Sequence, residues 1–250
     1  MKRAIRENPL SLQKQCKSTH ARGTTIATGD RAMSVWRAPS ARAFRDRHEA
    51  GVALAGLLQG YARRNDVVVL ALPRGGVPVA YEVATSLQVP LDVFSVRKLG
   101  VPGHPELAMG AIASGGVQVL NEDVLAWYRP SAETVEAVAR VEMRELERRE
   151  RLYREGRPLV LVEGRTVMLV DDGLATGSTM RAAVQAVRQL RAGAVVVAVP
   201  VGAPDTCRAM RQVADDVVCA FTPDGFTAVG AWYEDFSETS DDEVRRLLQA

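Results

Sequence analysis

Cysteine, aromatic residues, long apolar runs and net charge are all scarce in this 250-residue chain, and each scarcity excludes something. The three cysteines, Cys16, Cys207 and Cys219, are scattered and form no Cys-x-x-Cys pair. That excludes a disulfide framework or a cysteine-held zinc, and it fits structural thiols in a reducing cytoplasm. No apolar run approaches the roughly 20 residues of a membrane span, so no membrane partner is expected. The net charge is +2, and residues 1–33 hold seven basic and two acidic groups. The remaining body is therefore mildly acidic and lacks the basic footprint of a nucleic-acid-binding protein. There is no internal repeat, no Gly-x-Ser-x-Gly elbow, and no phosphate loop of the type that carries a lysine.

What remains is an ordinary globular composition, 47% hydrophobic and 25% charged, long enough for one α/β domain with appendages. Residues 1–33, basic and without an apolar core segment, read as a disordered extension rather than a secretory signal. An organellar leader or an upstream extension before a start at Met33 are the other readings. Residues 34–250 read as a single domain. Arg42–Ala55 has helical periodicity, with Phe44, Val52, Ala55 and Leu58 on one side and Gly51 and Gly56 weakening it. Apolar strands are expected at Val67–Ala71, Leu91–Val96, Val167–Val170, Ala194–Pro200 and Asp216–Phe221. Helical stretches at Val77–Leu87, Ser131–Arg154, Met180–Leu190 and Ala203–Val213 alternate with them. Gly110–Ala113 and Val117–Leu120 read as a β-hairpin. Such alternation predicts a three-layer α/β/α domain around a mostly parallel sheet.

The most informative stretch is Val167–Thr179. Four apolar residues end in Asp171-Asp172, then Gly173-Leu174-Ala175-Thr176-Gly177-Ser178-Thr179 runs into a helix. Backbone N–H groups and hydroxyls at a helix start bind phosphate, and carboxylates at the strand end accept hydrogen bonds from sugar hydroxyls. A generic strand-to-helix turn with a Ser/Thr cap would explain Thr176 to Thr179 but leaves the acid pair unexplained. A second strand end, Leu72-Pro73-Arg74-Gly75-Gly76, repeats the plan. Its two glycines permit positive φ and close backbone approach, and Arg74 is a fork donor suited to phosphate.

These stretches resemble the type I phosphoribosyltransferases, whose signature binds 5-phosphoribosyl-1-pyrophosphate (PRPP). The resemblance implies that Asp171 and Asp172 contact the ribose hydroxyls and that Ala175, Thr176, Gly177, Ser178 and Thr179 hold the 5′-phosphate. It implies that Arg74, Gly75 and Gly76 hold pyrophosphate. It also implies that Ser95–Gly110 is a flexible lid whose Arg97 and Lys98 meet pyrophosphate on closure; His104 and Glu106 lie on the same loop. The aromatic stretch Thr222–Phe236 is similar to the hood of the hypoxanthine–guanine branch. It implies that Phe226 stacks on the acceptor, with Trp232 beside it, and that Glu234 or Asp235 approaches a metal. No lysine stands there to read a purine 6-oxo group, and one extra residue separates Gly230 from the acids. Mg²⁺ is the implied cofactor, bridging pyrophosphate and ribose hydroxyls near Asp171 and Asp172. PRPP and a small nitrogenous acceptor are the implied ligands, and a homodimer the implied assembly. The body from about Ala43 onward is also similar to bacterial phosphoribosyltransferases that share Leu-Pro-Arg-Gly-Gly-Val-Pro, Arg-Lys-Leu-Gly and Asp-Asp-Gly-x-Ala-Thr-Gly. A PRPP-sensing module of the same fold is the alternative to an enzyme.

Overall fold

The computed structural model describes residues 44–250; Cys16 and the basic extension 1–33, with its expected disorder, lie outside the described residues. The centre is a five-stranded parallel sheet built from β1 (Val67–Ala71), β2 (Leu91–Val93), β6 (Thr166–Val170), β7 (Ala194–Val201) and β8 (Asp216–Phe221). The spatial order is β2-β1-β6-β7-β8. β1 and β6 are buried at every position, which is why their sequences are continuous Val/Leu/Met runs without a polar alternation.

Alternate residues of each strand still part to two sides. Val69, Ala71, Met168 and Val170 pack with α1 (Arg47–Leu57), α2 (Gly76–Leu87) and α7 (Asp241–Gln249). Val68, Leu70, Val167 and Leu169 pack with α5 (Ser178–Gln189) and α6 (Pro204–Met210). The result is the expected three-layer α/β/α sandwich. Because β1 and β6 are adjacent and parallel, with Ala71 paired to Val170, the loops leaving them emerge side by side at one edge.

An antiparallel sheet of β3 (Val96–Val101), β4 (His104–Ala113) and β5 (Val117–Leu120) stands apart from the main one. With α4 (Ala132–Arg154) it encloses a core of its own, made of Leu99, Val101, Met109 and Ile112 against Ala139 and Leu146. Most of Ser95–Gly110, expected as a loop, is two paired strands joined by a tight turn at Gly103, φ 80°, so the segment takes the form of a hairpin. Three glycines and two prolines masked an inward-facing Leu99 and Val101, both buried.

The long helix begins at its expected cap, where Ser131 Oγ accepts from Thr134 N at 3.2 Å. Two short elements, α3 (Glu122–Tyr128) and α7, went unread in the sequence. α1 starts at Arg47 rather than Arg42 because Asp46 caps it, accepting from Glu49 N at 2.8 Å. Val52, expected inside, is 53% exposed. Gly51, which weakened the helix on paper, is instead where α1 meets α2: a Cβ there would come within 2.8 Å of Val79 O. Cys207 and Cys219, distant in sequence, are buried free thiols with Sγ atoms 2.6 Å apart.

Candidate functional site

The site forms where β1 and β6 end. Asp171 and Asp172 follow directly on β6, with Asp172 N donating to Asp171 Oδ1 at 2.9 Å. Burial pushes both carboxyls above the usual carboxylate range. On Asp171 the charge of Asp172 adds to that rise, and on Asp172 the guanidinium of Arg47 opposes it. Arg47, the first residue of α1, reaches across to place Nε 2.9 Å from Asp172 Oδ2. Tyr233 donates its hydroxyl to the Asp172 carbonyl at 2.6 Å. The second acid is therefore held by a cation on its side chain and a phenol on its backbone.

The loop after β1 is fastened to the acid pair. Leu72 N donates to Val170 O at 2.8 Å, and the Pro73–Arg74 peptide is cis. Neither Gly75 nor Gly76 has positive φ; both are glycines because of close approach. A Cβ on Gly75 would overlap Asp172 Oδ2, and one on Gly76 would come within 2.7 Å of Val170 O. Arg74 does not stand alone: it pairs with Glu238, and its Nη1 is 3.9 Å from Asp241 Oδ1.

The loop after the acids has its own supports. Leu174 is bridged to Gly202, with Leu174 N on Val201 O at 2.9 Å. Thr206 Oγ1 donates to Ala175 O at 2.6 Å. Gly177 turns with φ 72° and caps α5, whose first N–H groups have no partner within the helix. A side chain on Gly177 would run into Thr206 Cγ2 at 2.7 Å, so α6 acts as the floor of the cradle. Thr176 and Ser178 are exposed at its rim, their hydroxyls 3.4 Å apart.

Beyond the cradle lies a cavity of about 550 Å³ that Thr176, Ser178 and Thr179 share with Lys98, Arg181 and Gln185. Lys98, expected at pyrophosphate, therefore faces the Thr176–Thr179 side. Arg97 points elsewhere on the strand and is engaged by Glu142 of α4, its Nε 2.5 Å from Oε2. Strand alternation sends Arg97 and Lys98 to opposite faces, so the structure brings Lys98 and not Arg97 to this cavity. His104 packs edge-on to Tyr128, ring centroids 6.3 Å apart, and Glu106 is exposed.

In the hood, Phe226 is half-buried against the α1 side of the core. Trp232 lies edge-on to Phe221 at 5.3 Å, and its buried indole N–H has no protein partner. Glu234 and Asp235 are exposed, and their N–H groups donate to Phe44 O and Arg45 O, extending a short parallel pairing of Phe44 with Tyr233. Asp235 also accepts from Ser237 N at 2.9 Å. Among the described residues no three His, Cys, Asp or Glu side chains are placed to share a metal. The backbone of Glu234 and Asp235 thus closes an edge, while their carboxylates face outward.

Arg47, Tyr233, Thr206 and Glu238 were not singled out in the sequence. Nothing local marked Arg47: the chain has 28 arginines, and only the fold brings this one to an acid 125 positions away.

A parallel sheet with an acid pair set between two glycine-containing loops at adjacent strand ends defines the type I phosphoribosyltransferase fold. A family model of the phosphoribosyl transferase domain matches residues 46–232, and the chain belongs to that family. Two Mycobacterium tuberculosis proteins, from strains CDC 1551 and H37Rv, are provisionally named phosphoribosyl transferases; each is 51% identical over 205 residues, 82% of this chain. The chain spans 46%, about half, of the length of these curated relatives. The crystal structure of TT1426 from Thermus thermophilus is similar with a TM-score of 0.73 and 44% identity, covering 82% of this chain and 97% of that one. No helix among the described residues is long and apolar enough to cross a membrane.

Proposed function

We propose that this domain binds PRPP with Mg²⁺ and transfers the 5-phosphoribosyl group to a nitrogenous acceptor, releasing pyrophosphate. The observation that carries this reading is the position of Asp171-Asp172 between two glycine-containing loops on adjacent parallel strands. A ribose with phosphate at one end and pyrophosphate at the other matches that order. Ala175 to Thr179 take the 5′-phosphate, the acid pair takes the ribose hydroxyls, and Arg74 with Gly75 and Gly76 takes pyrophosphate.

The oxygen chemistry of the acid pair suits a Mg²⁺ that arrives with its ligand: Asp171 and Asp172 would hold it through water or the ribose hydroxyls. When bound, the ion would supply positive charge that neutralises the leaving group. In the transfer a bond forms between the acceptor nitrogen and C1, and the C1–O bond breaks with its electron pair leaving on pyrophosphate. The acceptor's proton passes to solvent. The chain's part is positioning and electrostatics. Asp171 and Asp172 place negative charge beside the developing sugar cation, and Arg74 answers the charge growing on pyrophosphate.

Trp232 is committed to Phe221, which leaves Phe226 as the aromatic for a flat ring. This supports keeping a PRPP-sensing reading as the second one. Homodimer formation and a cytoplasmic setting belong to the same proposal through the family resemblance.

The deciding experiment is a Mg²⁺–PRPP turnover screen against nucleobases and small nitrogenous acceptors, read by pyrophosphate release, alongside calorimetry on Asp171→Ala/Asp172→Ala. Hydrogen bonds to charged groups are worth about 1.5–3 kcal/mol each, so the double variant should lose PRPP binding while keeping its circular dichroism spectrum. Unchanged affinity would overturn the ribose assignment. PRPP binding without release on any acceptor would move the domain to the sensing class.

A further inference from the structure

Arg47 is in an unusual position for a structural ion pair. Its Nε bonds Asp172 Oδ2 at 2.9 Å and its Nη1 donates to Ser237 O at 2.7 Å. Its guanidinium lies over the Phe236 ring, 4.0 Å from the centroid, which fixes the plane of the fork. The same Nε stands 3.4 Å from where a Cβ on Gly75 would be, so the group overhangs the turn that follows Arg74. Two of the five N–H donors are used in these bonds, and the side chain is 12% exposed. Arg47 is thus poised between a carboxylate and an anion loop.

We infer that Arg47 is the second cation of the pyrophosphate subsite, parked on Asp172 and transferred to the ligand's pyrophosphate when a divalent cation takes over that carboxylate. The inference rests on the pyrophosphate and acid-pair assignments proposed above. Its driving force is simple electrostatics. The charge that Arg47 supplies to Asp172 becomes redundant once a metal ion sits there, and the two cations then repel. An incoming diphosphate offers the guanidinium a better partner, since planar forks bind phosphate oxygens in pairs. The move is short because the Gly75 backbone already lies beneath the group. Arg47 and Arg74 then flank the same turn, one from α1 and one from the loop itself. Ser237 and Glu238, neighbours in the chain, hold these two arginines as found.

The test is equilibrium binding, which does not depend on finding the acceptor. Ribose 5-phosphate and Mg²⁺-pyrophosphate are titrated calorimetrically into the full chain and into Arg47→Gln, Arg47→Lys and Asp172→Asn. Arg47→Gln should weaken Mg²⁺-pyrophosphate at least tenfold and leave ribose 5-phosphate within twofold; Arg47→Lys, with charge but no fork, should fall between. Asp172→Asn frees Arg47 without a metal, so it should raise the affinity for metal-free pyrophosphate severalfold, and that gain should vanish in the Arg47→Gln/Asp172→Asn double variant. A purely structural Arg47 would leave that gain intact in the double variant, and equal losses for both ligands in Arg47→Gln would likewise overturn the inference. If Arg47→Gln fails to fold by circular dichroism, Arg47→Lys, alone and combined with Asp172→Asn, makes the same comparison. Wild-type protein that binds neither ligand would instead overturn the underlying site assignment, a distinguishable failure.

Discussion

Single atoms decide much of this site. Gly76 and Gly56 make a controlled contrast. A methyl on Gly76 would press on the Val170 carbonyl at 2.7 Å and the Asp171 Cα at 2.9 Å, both backbone, whereas one on Gly56 meets nothing within 4 Å. Gly76→Ala should therefore cost about 1–3 kcal/mol, the usual range for overpacking, and displace the acid pair. Gly56→Ala, in an exposed helical turn, should stabilise by roughly 0.5 kcal/mol. Urea midpoints for the two variants should move in opposite directions. Thr206→Val keeps the methyl that packs on Gly177 and removes the hydrogen bond to Ala175 O. A loss of about 0.5–1.5 kcal/mol should appear as a severalfold weaker ribose 5-phosphate affinity with pyrophosphate affinity held. At this scale the acids and the Thr176–Thr179 cradle were legible because their chemistry is local. Arg47 and Thr206 were not, since each acts on a partner far along the chain.

At the level of elements, the strand–loop–helix units were readable and the accessory pieces only in part. Continuous apolar runs announced β1, β6, β7 and β8, and Ser131 announced α4. Of the antiparallel sheet, the hairpin of Gly110–Ala113 with Val117–Leu120 was legible and pairs in β4 and β5, whereas β3 and the start of β4 were taken for a loop, because the inward residues Leu99 and Val101 are separated by Gly100 and preceded by Arg97 and Lys98. α7 carries three acids in its first turn and shows little apolar sequence, yet Val244 is fully buried. α4 is tied to α7 through Tyr153, which is buried and donates its hydroxyl to Asp241 Oδ1 at 2.7 Å. Burial, with the Asp241 carboxylate, pushes the Tyr153 phenol up to about 12 from an ordinary value of 10.0. A phenol whose folded pKa lies above its unfolded one contributes stability that is whole below about pH 10 and is lost as the pH rises through about 12. Denaturant unfolding between pH 9 and 12 should show this decline in the wild type. In Tyr153→Phe that limb should be shallower, the remainder coming from the buried Tyr233 phenol, which burial also raises, and stability at pH 8 should be about 1 kcal/mol lower, the worth of one hydrogen bond.

For the whole molecule, the consequence of the proposal is linkage between ligand and fold. Bound as proposed, PRPP would touch loops from β1 and β6 and the cap of α5, elements that share two of the three apolar cores. Saturation at about 100 times the dissociation constant should add about 2.7 kcal/mol to unfolding. A melting scan with Mg²⁺ and PRPP should then rise by roughly 5–10 °C, given the 2–4 °C per kcal/mol typical of domains this size. The Asp171→Ala/Asp172→Ala variant should show no rise. The layered architecture was foreseen from alternation alone, because a parallel sheet needs covered faces. How the small sheet docks was not foreseen, because packing between elements leaves little trace in periodicity.

Lysine has nearly vanished from this arginine-rich body, and among residues 44–250 the sole survivor is Lys98. It stands on β3, exposed, at the mouth of the cavity it shares with the phosphate cradle. An amine-directed dye followed by peptide mapping would thus report from one spot in the body. Any approach of the small sheet to the ligand would show as slower labelling or a shift in emission there. The domain carries its own address for watching whether that sheet moves.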